Sequence, residues 1–215
     1  MFTGIVEEVG TIENIERGSQ SAILHIGCLH VLEGTKIGDS IAVNGVCLTV
    51  TRLDSHGYAA DVMAETLDRS SLGALSSGSR VNLERAMPAD GRFGGHMVAG
   101  HIDGIGTIRR IWRDETAVWY QIAADAGILR YIVEKGSVAI DGVSLTVARV
   151  SGQDFCVSVI PHTQQNTALA ERQAGDIVNL ETDVVGKYVE KLLSPPGQKE
   201  ESKVTLEFLA EHGFS

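Results

Sequence analysis

The chain has 215 residues, of which 43% are hydrophobic, and a formal net charge of −10 at pH 7. This composition is sufficient for ordinary hydrophobic cores and excludes a disordered chain, while the negative charge disfavours nucleic acid and anionic membranes as partners. No apolar run approaches the ~20 residues of a membrane-spanning helix, and the first residues lack the features of a signal peptide. We therefore expect a cytoplasmic protein that binds neither nucleic acid nor membrane.

Short segments rich in valine, isoleucine and threonine, separated by glycine, aspartate, asparagine and serine, extend to about residue 183. They predict strands in the first half at Ser21–Ile26, Ser40–Val43, Cys47–Leu53, Tyr58–Val62 and Arg80–Glu84. They predict strands in the second half at Val118–Ile122, Ser137–Ile140, Ser144–Val150, Phe155–Ile160 and Ile177–Glu181. One short helical turn per half is expected, over Leu67–Leu75 and Thr167–Arg172.

The sequence changes character after residue 183. An apolar stripe predicts an amphipathic helix over Val184–Leu193, because Val184, Tyr188 and Leu192 recur every four residues beside Val185, Val189 and Leu193. Ser194–Gly197 is expected to end it, 198–203 to form an exposed linker, and Val204–His212 a second amphipathic segment. So short a helix is marginal alone in water, so its stripe requires either its own chain or another copy as a partner.

The two halves are copies of one another. Asn44–Val50 returns as Asp141–Val147, and Val81–Glu84 returns unchanged as Val178–Glu181, each 97 positions later. That period exceeds the ~20–50 residues of solenoid repeats and matches one small domain. We therefore predict an all-β fold of two tandem six-stranded Greek-key barrels from an internal duplication, since closure removes sheet edges, followed by a C-terminal helix. The predicted domains are 1–96, 97–183 and 184–215.

Chemically reactive residues distinguish the copies. Cys47 stands where the second copy has Ser144, His101 where the first has Ile5, and Asp183 where the first has Ala86. An ionised thiol is a strong nucleophile, and histidine transfers protons near neutral pH. Packing in a core is the alternative role for Cys47, and a hydrogen bond in a glycine-rich turn is the alternative for His101.

Other signals for a functional site are weak. The three cysteines are widely spaced, which is typical of reduced thiols rather than a disulfide framework. Neither paired cysteines nor an HExxH motif supports a metal site. The glycine-rich segment Gly91–Gly100 has neither the P-loop nor the dinucleotide-binding pattern. We therefore expect no metal.

Several motifs, in order along the whole chain, resemble those of the riboflavin synthase family. They are Met1–Val6, Asn44–Val50, Glu65–Leu67, Gly94–His96 with Gly100-His101, Ile140–Val147 and Ala210–Phe214. The resemblance implies a dismutation without an added cofactor, in which two molecules of 6,7-dimethyl-8-ribityllumazine give riboflavin and 5-amino-6-(D-ribitylamino)uracil by transfer of a four-carbon unit. It also implies a homotrimer joined through C-terminal helices, with each active site between the N-terminal barrel of one subunit and the C-terminal barrel of the next.

The resemblance further implies two lumazine pockets, one for each copy, whose residues are expected from their positions in the repeat. The first pocket would comprise Gly4, Ile5, Val6, Cys47, Leu48, Thr49, Asp61, Val62, Met63, Ala64, Glu65 and Thr66. The second would comprise Gly100, His101, Ile102, Lys135, Ser144, Leu145, Thr146, Val159, Ile160, Pro161, His162, Thr163 and Gln164. The catalytic candidates are Cys47, His101, Ser40 and Asp183.

Two alternatives are of a different class. Lumazine proteins, which resemble the synthase but have lost its reactive side chains, bind lumazine or flavin without catalysis; a barrel pair that only scaffolds a complex is the other alternative. Retention of Cys47, His101, Ser40 and Asp183 favours the enzyme. The sequence leaves open the first base, the donor pocket, and whether Cys47, water or a ribityl hydroxyl adds at C7. It also leaves open an association with lumazine synthase.

Overall fold

The computed structural model describes residues 1–193, and Met1–Val184 form one compact unit. This unit contains two closed antiparallel barrels of six strands each, which confirms the predicted fold class. The first barrel comprises β1 (Glu8–Arg17), β2 (Ser21–Gly27), β3 (Ser40–Val43), β4 (Val46–Leu53), β5 (Gly57–Met63) and β6 (Arg80–Arg85). The second comprises β7 (Gly104–Asp114), β8 (Ala117–Ala124), β9 (Ser137–Ile140), β10 (Val143–Val150), β11 (Asp154–Val159) and β12 (Ile177–Thr182).

The two barrels have the same strand order. Around the first it is β1-β2-β5-β4-β3-β6, and around the second it is β7-β8-β11-β10-β9-β12. The ten predicted strands overlap observed ones, but β1 and β7 were not predicted individually. Both are long, contain glycine, and place charged or polar residues between their apolar ones, so composition marks them less clearly.

Short helices follow the same duplication. They are α1 (Ala64–Arg69), α2 (Ala126–Leu129) and α3 (Pro161–Gln165), with 3₁₀ turns at His30–Leu32, Ser71–Ala74 and Ala168–Glu171. The predicted turns at Leu67–Leu75 and Thr167–Arg172 each overlap a helical segment, but the structure begins α1 three residues earlier. Three further segments, α2, α3 and His30–Leu32, were missed, because segments of three to five residues have no helical periodicity to detect.

Side chains along β4 alternate between the barrel core and the outer surface, which carries the reactive residue. Val46, Leu48 and Val50 are buried in the first barrel's core, whereas Cys47 and Thr49 face outward. β10 repeats the pattern, with its valines and leucine in the second core. A side-chain period of two on each strand produces this arrangement. The functional side chains of these strands therefore lie on the outer surfaces of the barrels, not inside them.

The barrels contact each other through reciprocal hydrogen bonds of buried asparagines. Asn82 Nδ2 donates to the Asp141 carbonyl, and Asn179 Nδ2 donates to the Asn44 carbonyl, both at 2.8 Å. Asn82 Oδ1 accepts from the amide of Ala168 at 2.7 Å. The repeated Val-Asn-Leu-Glu segments thus provide matching halves of the interface, and both asparagine side chains are satisfied as buried amides must be.

The predicted C-terminal helix is present as α4 (Val184–Leu193), with the bounds expected from its stripe. Tyr188, Leu192 and Leu193 are exposed, and Val185 and Val189 are about half-exposed. The predictions for Ser194–Gly197, 198–203 and Val204–His212 lie outside the described residues. Within residues 1–193, no helix has both the length and the apolarity needed to cross a bilayer.

Candidate functional site

The opening segment of each copy runs between the barrels and pairs with the other. Phe2 and Val98 form an antiparallel bridge, with N–O distances of 2.7 and 3.1 Å. Phe2 is fully buried in a cluster with Ala42, Val98 and Ala139, against which Cys47 packs. These segments are therefore fixed parts of the interface, although neither belongs to a barrel strand.

Two buried glutamates hold these segments in place. Glu84 accepts from the Thr3 amide at 2.6 Å, the Thr3 hydroxyl at 2.8 Å and the Gly4 amide at 2.9 Å. Glu181, its equivalent, accepts from the amides of Ala99 and Gly100. Burial raises the pKa of Glu84 above its ordinary value, and the three hydrogen bonds oppose that rise. Sequence reasoning missed both roles, although the repeated Val-Asn-Leu-Glu was a signal for them.

The segments cross to the opposite barrels, whereas the prediction grouped each of them with the barrel of its own copy. The Gly4 carbonyl accepts from the Ser144 amide at 2.8 Å, and Val6 packs on the second core. Conversely, the Gly100 carbonyl accepts from the Cys47 amide at 2.9 Å, and Ile102 packs on the first core. The segment Gly4–Val6 therefore lies against the second barrel, and Gly100–Ile102 against the first.

A cavity of about 600 Å³ lies at the mouth of the first barrel. Its walls combine β4, the start of α1 and the crossing segment: Gln20, Val46, Cys47, Met63, Ala64, Glu65, Thr66, Arg69, Gly100, His101 and Ile102. The structure thus brings together two of the four catalytic candidates, Cys47 and His101. Three lining residues were missed: Val46, which precedes the predicted Cys47, and Gln20 and Arg69, which lie in a hairpin turn and at a helix end whose sequences carry no recognisable motif.

Gly100 allows the crossing segment to approach Cys47, and alanine there is expected to destabilise the protein. Its φ is +81°, and a Cβ would lie 2.7 Å from both Cys47 Cβ and the Phe2 ring. The conformation alone costs a residue with a side chain about 1–3 kcal/mol. We expect Gly100→Ala to lower the urea midpoint, whereas Gly152→Ala, whose Cβ meets nothing within 4 Å, should not. Equal midpoints for the two variants would contradict this close approach.

Four of the predicted pocket residues have buried side chains. Leu48, Val62, Leu145 and Val159 are buried in the barrel cores. Strand alternation, which places every second side chain inside, accounts for this. The other predicted residues on these strands point outward: Thr49, Asp61, Met63, Thr146 and Ile160 are exposed.

The second barrel has a serine–histidine contact at the position that Cys47 occupies in the first. His96 Nδ1 and Ser144 Oγ are 2.7 Å apart, while His96 Nε2 is buried without a hydrogen-bond partner. Burial lowers the pKa of His96, and the charge of Asp183 opposes this shift. The imidazole is therefore predominantly neutral at pH 7. Around it, Pro161 and His162 are exposed on α3, Thr163 and Gln164 are half-buried, and Lys135 lies exposed in the turn before β9.

Ser40 and Asp183 do not share the Cys47–His101 cavity. Ser40 lines a separate cavity of about 630 Å³, together with Thr3 and Glu84. Asp183 lies beyond the end of β12, where its charge acts on His96. Among the described residues of one subunit, the four catalytic candidates are therefore distributed over three places.

Comparison with known proteins agrees with the duplicated barrels. The family model described as "Lumazine binding domain" matches residues 3–86 and 99–183. Two solved structures of LumP are similar in fold: the complex with 6,7-dimethyl-8-(1'-D-ribityl) lumazine (TM-score 0.77, 25% identity) and that with riboflavin (TM-score 0.79, 27% identity). Each alignment covers 85% of this chain and 99% of the LumP chain.

Similarity to curated proteins extends over the full length. Riboflavin synthase of Actinobacillus pleuropneumoniae is 53% identical over 215 residues, which is 100% of both chains. Riboflavin synthase of Bacillus subtilis is 46% identical over the same span, and that of Photobacterium phosphoreum is 42% identical over 217 residues, covering 100% of this chain and 99% of the relative. The chain therefore belongs to the riboflavin synthase family, whose two lumazine binding domains correspond here to the two barrels.

Proposed function

We propose that this protein is a transferase that converts two molecules of 6,7-dimethyl-8-ribityllumazine into riboflavin and 5-amino-6-(D-ribitylamino)uracil. One lumazine gives up its four-carbon unit, which is the two ring carbons with their methyl groups, and keeps the two nitrogens as amines. The other lumazine receives that unit and becomes riboflavin. The atoms of the two substrates balance those of the two products, so no cofactor is consumed.

The observation that carries this proposal is the full-length identity of 46–53% to riboflavin synthases. It is supported by a cavity whose volume suits a small-molecule ligand and whose wall includes both a thiol and an imidazole. Backbone groups of the strand ends and the hydroxyl of Thr66 are suited to the polar edge of the pteridine and to the ribityl chain.

In the proposed reaction, His101 moves protons to and from the lumazine in the first pocket. The C7 methyl must lose a proton, and its electron pair delocalises into the pteridine ring. A nucleophile must add at C7 of the other lumazine, and the candidates are the Cys47 thiolate, water or a ribityl hydroxyl. Holding the two rings in contact provides much of the remaining acceleration through proximity.

Incubation with 6,7-dimethyl-8-ribityllumazine tests this function. Riboflavin should form with its characteristic absorbance, one molecule for every two lumazines consumed. Tight lumazine binding without conversion would instead indicate a non-catalytic binding protein, the alternative considered because the fold is similar to that of LumP. Neither binding nor conversion would leave only a scaffolding role.

The active site is proposed to be completed by a second copy of the chain. Ser40 and Asp183 lie away from the Cys47–His101 cavity within one subunit, and Met63 and Ile160, equivalent residues at the two mouths, are 69% and 60% exposed. A first pocket facing a neighbour's second pocket would cover both residues and place two lumazines in contact. We propose a homotrimer in which the apolar stripe of α4 joins the subunits, in a cytoplasmic protein.

Deleting α4 and all following residues is expected to weaken the trimer and to lower lumazine turnover in parallel. The exposed Tyr188, Leu192 and Leu193 would lose their proposed partners in neighbouring copies. Sedimentation and turnover should be measured for the truncated chain and for Leu192→Glu, with Lys191→Glu as a control on the same helix outside the stripe. A truncated chain that remains a fully active trimer would remove α4 from this role.

A further inference from the structure

We infer that the two pockets select ligands by charge: a flavin or lumazine with a phosphate at the 5′ end of its ribityl chain is disfavoured in the first pocket and accepted in the second. This inference rests on the proposed function, since it concerns the same pockets. It is based on residues in which the two copies differ although their backbones correspond.

Carboxylates surround the first pocket. Glu65 and Arg69 line its cavity, and Asp68 and Asp125 line an adjoining cavity of about 430 Å³, to which Arg69 also contributes. Asp61 is exposed on β5, two residues before Met63. Arg69 Nε lies 3.1 Å from Glu65 Oε1, so the guanidinium is matched by one carboxylate. These four carboxylates and the guanidinium leave a net charge of −3. Asp103 also lines the adjoining cavity, but its equivalent Glu7 is a carboxylate too, so it does not distinguish the copies.

The equivalent positions of the second copy are neutral. Strand pairing and the repeat spacing match each charged residue to one of the other copy: Ser158 replaces Asp61, His162 replaces Glu65, Gln165 replaces Asp68, Asn166 replaces Arg69, and Leu29 corresponds to Asp125. Asp183, near His96, is a carboxylate on the side of the second pocket. Lys135, exposed on the same side, offsets it, so the first pocket is the more negative of the two by about three charges.

These charges lie close to the cavity, because Asp68 precedes the lining residue Arg69 and Asp61 lies two residues before the lining residue Met63. A cube of 600 Å³ has an edge of about 8 Å, which is also about one Debye length at physiological ionic strength. A phosphate within the cavity therefore lies within about one Debye length of the cavity wall, whichever way the ribityl chain points. Two phosphate charges at such distances from a net charge of −3 weaken binding by about three- to tenfold in water-like surroundings.

Riboflavin and flavin mononucleotide test the inference, because they differ only in the phosphate and neither requires turnover. Titration by flavin fluorescence quenching should give two similar sites per chain for riboflavin. For flavin mononucleotide it should give one site of comparable affinity and one about three- to tenfold weaker. The difference in affinity between these two sites should decrease as the salt concentration is raised, since screening weakens repulsion between charges.

The double variant Asp68→Gln/Asp125→Asn should remove most of the difference in flavin mononucleotide affinity between the two sites without changing the affinity for riboflavin. Glu13→Gln/Asp90→Asn removes two exposed charges elsewhere and should leave the difference in affinity unchanged. Charge selection would be refuted if the wild-type chain bound both flavins with equal affinity or if the difference in affinity did not change with salt. It would also be refuted if both double variants reduced that difference equally. These outcomes leave the proposed function intact, whereas failure to bind riboflavin together with failure to convert lumazine would refute that function itself.

Discussion

Replacing His101 by glutamine is expected to slow riboflavin formation by about 10²–10⁴-fold, the usual contribution of a positioned acid or base. The imidazole lines the first cavity beside Cys47, on a segment fixed by the hydrogen bonds of Glu181 and by the Gly100–Cys47 contact. Glutamine keeps a polar side chain of similar length but does not transfer protons near neutral pH. Ligand affinity should therefore be retained. The measurement is single-turnover riboflavin formation, with riboflavin binding titrated in parallel.

His30→Gln is the matched control, because His30 is an exposed histidine of the same barrel in a 3₁₀ turn outside the cavity. It should leave the rate unchanged. If His101→Gln converts lumazine at the wild-type rate, or loses riboflavin binding along with activity, then His101 has no role specific to proton transfer.

Cys47→Ser separates two roles for the thiol in the same assay. Cys47 both lines the cavity and packs against the cluster around Phe2. Serine stands at the equivalent position of the second copy and makes the same backbone hydrogen bond to a crossing segment. If the thiolate adds at C7, turnover should fall in Cys47→Ser while ligand binding persists. If the thiol only packs, Cys47→Ser should form riboflavin at an unchanged rate and show a lower melting temperature as its main effect.

The barrels were predictable because duplication supplied each pattern twice. A strand such as Ser40–Val43, which returns as Ser137–Ile140, is identified by apolar residues between turns in both copies. Asn44-Gly45 and Asp141-Gly142 also predict tight hairpin turns, and all four residues have positive φ. Local pattern and overall fold agree at these positions, so short-range rules succeed.

The pockets were less predictable because their walls cross between copies. Aligning the copies places Gly4 with Cys47 and Gly100 with Ser144, whereas the backbone hydrogen bonds join each opening segment to the opposite barrel. The spacing of the repeat shows which residues of the two copies are equivalent. It does not show which barrel each opening segment contacts. Equivalence also misleads about Arg69, because its counterpart Asn166 carries no charge to draw attention to the position.

Replacing Arg172 by leucine is expected to cost about 3–5 kcal/mol of stability, because it leaves a buried carboxylate without its cation. Asp141 is fully buried, and its Oδ2 accepts from Arg172 Nη2 at 2.6 Å and from Nε at 3.1 Å. Burial raises the pKa of Asp141, while Arg172 and the Asn179 amide oppose that rise. The substitution removes the larger opposing influence, so the folded-state pKa rises further above the value of the unfolded chain.

The sign of the pH dependence follows from this rise. A carboxyl group with a raised folded-state pKa stabilises the folded state only at low pH, where it is protonated; this stabilisation is lost as pH rises from the unfolded pKa of about 3.9 through the folded-state value. The loss of stability in Arg172→Leu should therefore be larger at pH 8 than at pH 5. Urea unfolding of wild type and variant at both pH values measures it, at fixed protein concentration because oligomerisation affects the midpoint.

The first copy provides the rescue for this variant. Asn44 and Leu75 occupy the positions of Asp141 and Arg172, and Asn44 Oδ1 makes the same 2.8 Å bond to the Asn82 amide that Asp141 Oδ1 makes to that of Asn179. Asp141→Asn/Arg172→Leu should therefore recover most of the lost stability and remove the added pH dependence. An unsatisfied amide like Asn44 Nδ2 would limit the recovery, by about 1–3 kcal/mol. A double variant no more stable than Arg172→Leu would show that the guanidinium acts through packing rather than through the charge of Asp141.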